Sequence, residues 1–307
     1  MIRLSVILGL VLALAGCGGS SGGTDTAGTT PPPAGPTEVA RQVPVNTTVD
    51  VLTQVETFNT VASTAVLTLS NGLVTSASTT QAGFKDDVTI AYNPATQGYT
   101  VTTGRGIGKS TAFTSADFDE TVNGVTSYSK VSQGEDAQLL ITRTGLLKYS
   151  ALGAWTSVPA TNGTGTISAS LFVFGQETSF ATLPKTGTAT YNLGVSGIAR
   201  DGANAYGLGG GGSANVNFAA NSLTTIFNLG VFNGGANPIA TYAINGTATI
   251  SSTFARFSGT TQGTLFGVNV SGPFNGAFFG PAAEEIGGSF KVTGGQVEAI
   301  GAFVGSK

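Results

Sequence analysis

The sequence predicts an all-β protein, with a β-rich first region followed by a run of eight strands. Three observations carry that expectation. Charged residues are only 9% of the 307 and glycine accounts for 46 of them, a composition that suits short strands and tight turns better than helical bundles. Apolar and polar residues alternate with period two in segment after segment. No stretch carries a long helical period.

Taken in order, the chain opens with Arg3, an apolar run over 4–13, and Leu14-Ala15-Gly16-Cys17. The run is too short to span a bilayer as a stable helix and has the parts of an export signal. Small residues before the only cysteine resemble the lipobox of bacterial lipoproteins. That resemblance implies cleavage after residue 16 and lipidation of Cys17. Cleavage removes Arg3 and leaves 12 Lys+Arg against 16 Asp+Glu, so the mature chain is near −4. Gly18, standing where an aspartate would follow the cysteine, favours the outer membrane by the same resemblance. Residues 17–44 hold mostly Gly, Ser, Thr and Pro. They cannot bury enough apolar surface to offset their ordering entropy, and Pro31-Pro32-Pro33 stiffens them into a tether.

Residues 45–182 are expected to form the first β-rich domain. Thr64-Ala65-Val66-Leu67-Thr68-Leu69 runs into Asn71-Gly72, a favoured hairpin turn. Residues 88–92, 99–102, 127–131, 138–142 and 170–174 read as further strands. Gly104-Arg105-Gly106-Ile107-Gly108-Lys109-Ser110 has the tail of a phosphate-binding loop, but Thr103 stands where the pattern needs glycine. The carboxylates Asp86, Asp87, Asp117, Asp119 and Glu120 lack the glycine spacing of a calcium loop, and the group around Asp117 is expected in a solvated loop.

Residues 183–307 are expected to form the barrel. Predicted strands cover 187–195, 213–219, 223–230, 240–250, 253–259, 274–279, 284–292 and 296–304, and eight strands suffice for closure around a side-chain-filled interior. Gly207-Leu208-Gly209-Gly210-Gly211-Gly212-Ser213 has no βαβ frame around it and is expected to be a flexible hairpin loop. Gly280-Pro281 is expected to end one strand, because proline cannot donate to a ladder, and Gly287-Gly288 to supply a kink or bulge in the wall.

With these segments in view, the chain resembles surface lipoproteins of the transferrin-binding protein B type. The resemblance is carried by Phe172-Val173-Phe174-Gly175, Leu183-Pro184, the 186–191 segment and above all Gly276, Phe278, Gly280, Pro281, Ala283, Glu285, Gly287, Gly288 and Phe290. It implies one lobe of a handle domain followed by an eight-stranded antiparallel barrel. It also implies a non-enzymatic outer-membrane receptor for an iron, haem or other macromolecular ligand, in some members coupled to a TonB-dependent channel. The matched residues belong to the barrel wall and carry over no ligand contact.

Function classes narrow accordingly. No histidine is present, which removes the commonest general base and metal ligand, so no catalytic residue, metal site or cofactor is expected. Net charge of −3 offers no basic field for nucleic acid. Ligand contacts are expected from loops at the barrel mouth, 201–213 and 232–238, and at the handle tip. Tyr206 is the one conceivable haem ligand there, with stacking or packing as its expected role. The alternatives are a structural or adhesive envelope lipoprotein without cargo and, given a mean hydropathy of +0.22, an integral membrane barrel.

Overall fold

The computed structural model describes residues 48–307, apart from Asp50, Gly72, Lys85, residues 105–106, Gln133, residues 143–146 and residues 160–163. Cys17, the export signal and the tether lie outside the described residues, as do Arg105 and Gly106 of the phosphate-loop-like segment.

Ten strands build the first sheet: β1 (Glu56–Ser70), β2 (Leu73–Ala82), β3 (Val88–Asn93), β4 (Gly98–Thr103), β5 (Ser110–Ala112), β6 (Phe118–Val122), β7 (Val125–Ser132), β8 (Glu135–Thr142), β9 (Ser150–Pro159) and β10 (Gly165–Gly175). Their order is β5-β4-β3-β1-β10-β9-β8-β7-β6, with β2 also pairing β1. The long β1 makes this possible. One edge pairs β10 throughout 60–69, while the other pairs β3 at Glu56–Asn59 and β2 from Ala62 onward. The sheet twists until its two ends meet across the core, forming a half-barrel. Tyr99 on β4 and Tyr128 on β7 stand 5.9 Å apart edge to face. Lys109 ion-pairs Glu135 at 2.6 Å, and the Lys130 ammonium donates to the Ala112 carbonyl at 2.9 Å. Trp155, Phe172, Phe174 and Ile90 fill the concave side.

The chain then forms β11 (Thr188–Asp201), β12 (Asn204–Asn217), β13 (Ser222–Phe232), β14 (Ala240–Ile250), β15 (Arg256–Leu265), β16 (Val268–Phe279), β17 (Glu285–Gly294) and β18 (Val297–Ser306). These close into an eight-stranded antiparallel barrel, β18 pairing β11 from Asn192↔Ser306 to Asp201↔Val297. The proposed domain boundary at 182/183 lies in the connection between β10 and β11. Alternation sorts the strands. Phe227, Ile244, Phe274, Phe290 and Phe303 are buried inside, and Phe227 stacks on Phe290 at 5.2 Å. Thr224, Asn228, Asn245, Thr247 and Gln262 point to solvent. A lipid-embedded barrel needs the opposite arrangement, apolar side chains outside, so this polar wall argues against the membrane-barrel alternative.

Two expectations are corrected. Residues 207–213 are not a loop: the whole run lies in β12, paired on both sides from Gly207↔Ile198 and Gly207↔Phe232 to Ser213↔Asn192 and Ser213↔Ile226. Both backbone edges find partners without any side chain, and a Cβ at Gly210 or Gly212 would lie 2.1 Å from a carbonyl oxygen of β13. Gly287-Gly288 is not a bulge either. Residues 285–290 pair in unbroken register with 274–279, so these glycines answer to crowding rather than to a kink. The carboxylate group 117–120 also differs from a plain loop. Asp117 accepts from Thr114 in a short 3₁₀ turn, and 118–120 enter the exposed edge strand β6, where charge discourages further pairing.

The half-barrel packs on the outside of β16–β18. Leu152, Leu171 and Val173 from the first sheet meet Ala277, Phe279, Ile300 and Ala302 from the barrel in a separate apolar layer. Arg256 reinforces it with a two-pronged ion pair to Glu177, at 2.6 and 2.9 Å, while its guanidinium lies 4.0 Å over the Phe84 ring. Arg256→Lys keeps the charge but loses the fork and the planar stack. It is expected to cost about 1–2 kcal/mol, read as a lower urea midpoint with an unchanged slope.

Candidate ligand-binding face at the barrel rim

The wall motif orients the two domains. β16 ends at Phe279 and β17 begins at Glu285, joined through Gly280-Pro281-Ala282-Ala283-Glu284. The Gly280 amide donates to the Gln176 carbonyl at 2.8 Å, and its own carbonyl accepts the Thr178 hydroxyl at 2.6 Å. Ala283 is fully buried and its carbonyl accepts the Tyr191 hydroxyl at 2.7 Å; burial pushes that phenol far up. Pro281 is exposed in the turn, and Phe278 and Phe290 sit in the barrel core. A Cβ on Gly287 would lie 2.6 Å from Val173 of the neighbouring sheet, whereas one on Gly288 would face inward, 2.7 Å from the Phe303 ring. Glu285, only 2% exposed, accepts the Lys148 and Tyr149 amides and both the amide and hydroxyl of Ser150. This carboxylate therefore ties the first sheet to the barrel wall.

With that hairpin end engaged, the opposite end of the barrel carries the rim. It consists of the β11–β12 turn at Gly202-Ala203, the β13–β14 loop over 233–239, the β15–β16 turn at Phe266-Gly267 and the β17–β18 turn at Gly295-Gln296. The first sheet reaches toward the same end. Along β2, Gln81 donates to the Ser289 carbonyl, and Thr79 then meets Lys291 and Glu298. From Ser289 to Lys291 the direction is toward Gly295, and β2 continues that way to its turn. At this turn the Asn71 amide donates to the Thr164 hydroxyl, just before β10, at 3.3 Å.

Three aromatic side chains meet at the rim. The Tyr206 ring on β12 lies 5.0 Å from Phe266, tilted by 35°, and Tyr242 on β14 lies 5.8 Å from the same ring. All three are half-buried and pack on the upper edge of the barrel core. Ile239, 61% exposed, ends the 233–239 loop three residues before Tyr242. The pairing of β14 with β15 stops at Ile244↔Gly263, while β14 continues along β13 to Ala240. The wall is thus splayed near the rim. A groove of about 490 Å³ opens on its outer side, lined by polar residues including Asn245, Gln262, Thr264, Asn269 and Ser271.

Of the loops expected to bind, 232–238 is found at the rim with every residue from 233 to 238 exposed. The 201–213 loop is replaced by a two-residue turn, and Tyr206 stands on a strand packed against the Phe266 ring rather than free in a loop. Phe266 was not anticipated. Its signal was a Phe-Gly pair interrupting an otherwise alternating stretch, which does not read as turn chemistry. No group of three or more potential metal-ligating side chains occurs among the described residues. Asp87 instead accepts the Thr64 hydroxyl, and Asp119 the Ser129 hydroxyl.

The family model for the C-lobe and N-lobe β-barrels of Tf-binding protein B matches residues 183–307. Over those residues the barrel is similar to that family. Among solved structures, the transferrin-binding protein B double mutant from Haemophilus parasuis Hp5 aligns at 18% identity and TM-score 0.49, covering 80% of this chain and 44% of that one. HpuA from Kingella denitrificans in complex with human haemoglobin aligns at 20% identity and TM-score 0.39, covering 82% and 87%. The N-lobe domain of lactoferrin binding protein B of Moraxella bovis gives 13%, 0.37, 79% and 98%. This chain spans under half the length of the transferrin-binding protein B structures it matches. No curated protein matches it in sequence. The matched residues, 183–307, include every residue of the wall motif and all of the rim turns described above.

Proposed function

We propose that this chain is a non-enzymatic surface receptor, held to the outer membrane through a lipid on Cys17 and presenting the barrel rim and handle tip to a macromolecular ligand. The observation that carries the reading is the Tf-binding protein B barrel over residues 183–307. The ligand class in this proposal is an iron or haem protein, in line with the family's name and with the haemoglobin complex of HpuA. A TonB-dependent channel is the proposed recipient of the cargo. The geometry supports a binding role: a rigid, fully paired barrel holds an exposed loop and aromatic side chains at the end away from the Glu285 tie.

Two measurements test this. Cys17→Ala is expected to move the protein from the membrane fraction to the soluble fraction without altering its thermal unfolding. Retention in the membrane would contradict the anchor. Protease shaving of intact cells is expected to degrade the wild-type chain, and immobilised full-length protein to retain haemoglobin or an iron-binding protein. A chain that resists shaving and retains neither would contradict the receptor reading.

A further inference from the structure

We infer that the rim is a binding site for a neutral saccharide chain, with Phe266 as its aromatic anchor. The inference rests on the rim being a binding face and names the chemistry it would recognise.

The first observation is backbone strain. Phe266 has φ of +52° and Gly267 +77°, the paired left-handed conformation of a tight hairpin turn. The same chain uses Asn123-Gly124 for the same pair of angles, +52° and +79°. Asparagine tolerates this conformation and a bulky aromatic does not. An aromatic at such a position, only partly buried, points to a use for its exposed face beyond its packing on Tyr206, Tyr242 and the barrel core. The second is charge. From Gly202 to Ala283 the sequence holds a single charged residue, Arg256, and that guanidinium is committed to Glu177 at the other end of β15. The charges nearest the rim are Arg200 and Asp201 at the end of β11, Lys291 on β17 and Glu298 on β18, and Arg200 and Lys291 both face Glu298. Strands β12 to β16, which carry the three aromatics, therefore bring no charged side chain to the rim.

The third is polar chemistry presented to solvent. Asn245, Gln262 and Ser271 are exposed and line the outer groove, and the half-buried Tyr206 and Tyr242 carry hydroxyls beside Phe266. Amides and hydroxyls both donate and accept, as sugar hydroxyls do. The groove that Asn245, Gln262 and Ser271 line also includes Thr264 and Asn269, within three residues of Phe266. Aromatic faces cover the apolar C–H faces of pyranose rings, and neighbouring amides serve their hydroxyl edges. An apolar peptide would leave these amides unsatisfied, and a charged one would find no counter-ion.

The test uses purified full-length protein titrated calorimetrically with maltohexaose, cellohexaose and dextran, with polygalacturonate as the anionic control. At least one neutral chain is expected to bind, and polygalacturonate is not. Phe266→Asn, which suits the turn, and Tyr206→Ala are expected to weaken binding at least tenfold while leaving thermal unfolding within a few degrees. A glycoprotein bearing neutral high-mannose chains, before and after deglycosylation, separates protein-borne from free polysaccharide. Absence of neutral binding at millimolar concentration, equal binding of polygalacturonate, or full binding by Phe266→Asn would each overturn the inference. If a protein ligand is captured equally well with and without its glycans, the saccharide site fails and the receptor reading survives. Saccharide binding by a chain that resists surface proteolysis would give the reverse outcome.

Discussion

Glu285→Ala is expected to destabilise the protein by about 3–5 kcal/mol, because it strips the partner from several buried donors at once. The Lys148, Tyr149 and Ser150 amides are successive N–H groups aimed at one carboxylate, a concave anion-binding arrangement in which backbone dipoles replace a cation. The Ser150 hydroxyl adds a contact at 2.7 Å. Removal leaves these groups facing a cavity under the apolar layer that joins the two domains. Glu285→Gln fills the space but turns its own N–H donors toward donors, so it is expected to recover only part of the loss. Urea unfolding of both variants checks the order. A Glu285→Ala protein as stable as wild type would show that the tie contributes nothing.

The same carboxylate predicts a pH dependence. Burial pushes its pKa above the ordinary carboxylate value, and the hydrogen bonds from 148–150 pull it back only in part. A carboxyl that holds its proton more tightly in the folded state gives stability that is fully present below the unfolded pKa. That contribution is lost as pH rises through the folded value. The wild type is therefore expected to lose some stability as pH rises from about 4.5, and Glu285→Gln to lack that slope. The slope concerns the cost of the charge alone; the ionised side chain still satisfies donors that alanine leaves bare.

How far such features can be read from sequence depends on where their partners lie. Strands announced by alternation, such as 64–69, 88–92 and 240–250, are strands in the structure. The barrel's eight-strand count was legible for the same reason. Strand ends were less so: β11 was expected to stop at 195 and runs to Asp201, because its continuation pairs with 204–209, a stretch whose sequence reads as loop. Glu285 was legible as a structural residue of the wall, through its motif. Its role as a tie was not, since Lys148–Ser150 lie 135 or more residues away and contribute backbone amides, which any residue type supplies. At the rim, loop 232–238 was visible as a cluster of Gly, Asn and Pro. Phe266 was hidden because its turn uses the wrong residue for its conformation.

Gly288→Ala is expected to be as damaging as loss of the tie, at about 3 kcal/mol or more. Gly276 and Gly288 are directly paired partners on β16 and β17. The crowding is mutual: a Cβ on Gly288 would lie 2.2 Å from the Asn275 carbonyl oxygen, 2.7 Å from the Phe303 ring and 2.9 Å from the Gly276 Cα. One on Gly276 would fall 2.1 Å from the Phe257 ring and 2.5 Å from the Gly287 carbonyl oxygen. Ring contacts can be relieved by shifting a phenylalanine, at the expense of the interdigitated aromatic core. Backbone contacts cannot be relieved without separating the strands, and on the far face of the same wall Phe279 and Ala277 hold the first sheet. The two glycines thus let the wall coil tightly enough for Phe257, Phe274 and Phe303 to fill one interior. Gly234→Ala serves as the contrast: nothing lies within 4 Å of its Cβ position, and its φ of +74° charges only the local backbone strain. It is expected to cost about 1 kcal/mol. Thermal unfolding of the two variants should differ by several degrees, with Gly288→Ala the lower; equal midpoints would mean that the wall tolerates a side chain where the packing leaves none.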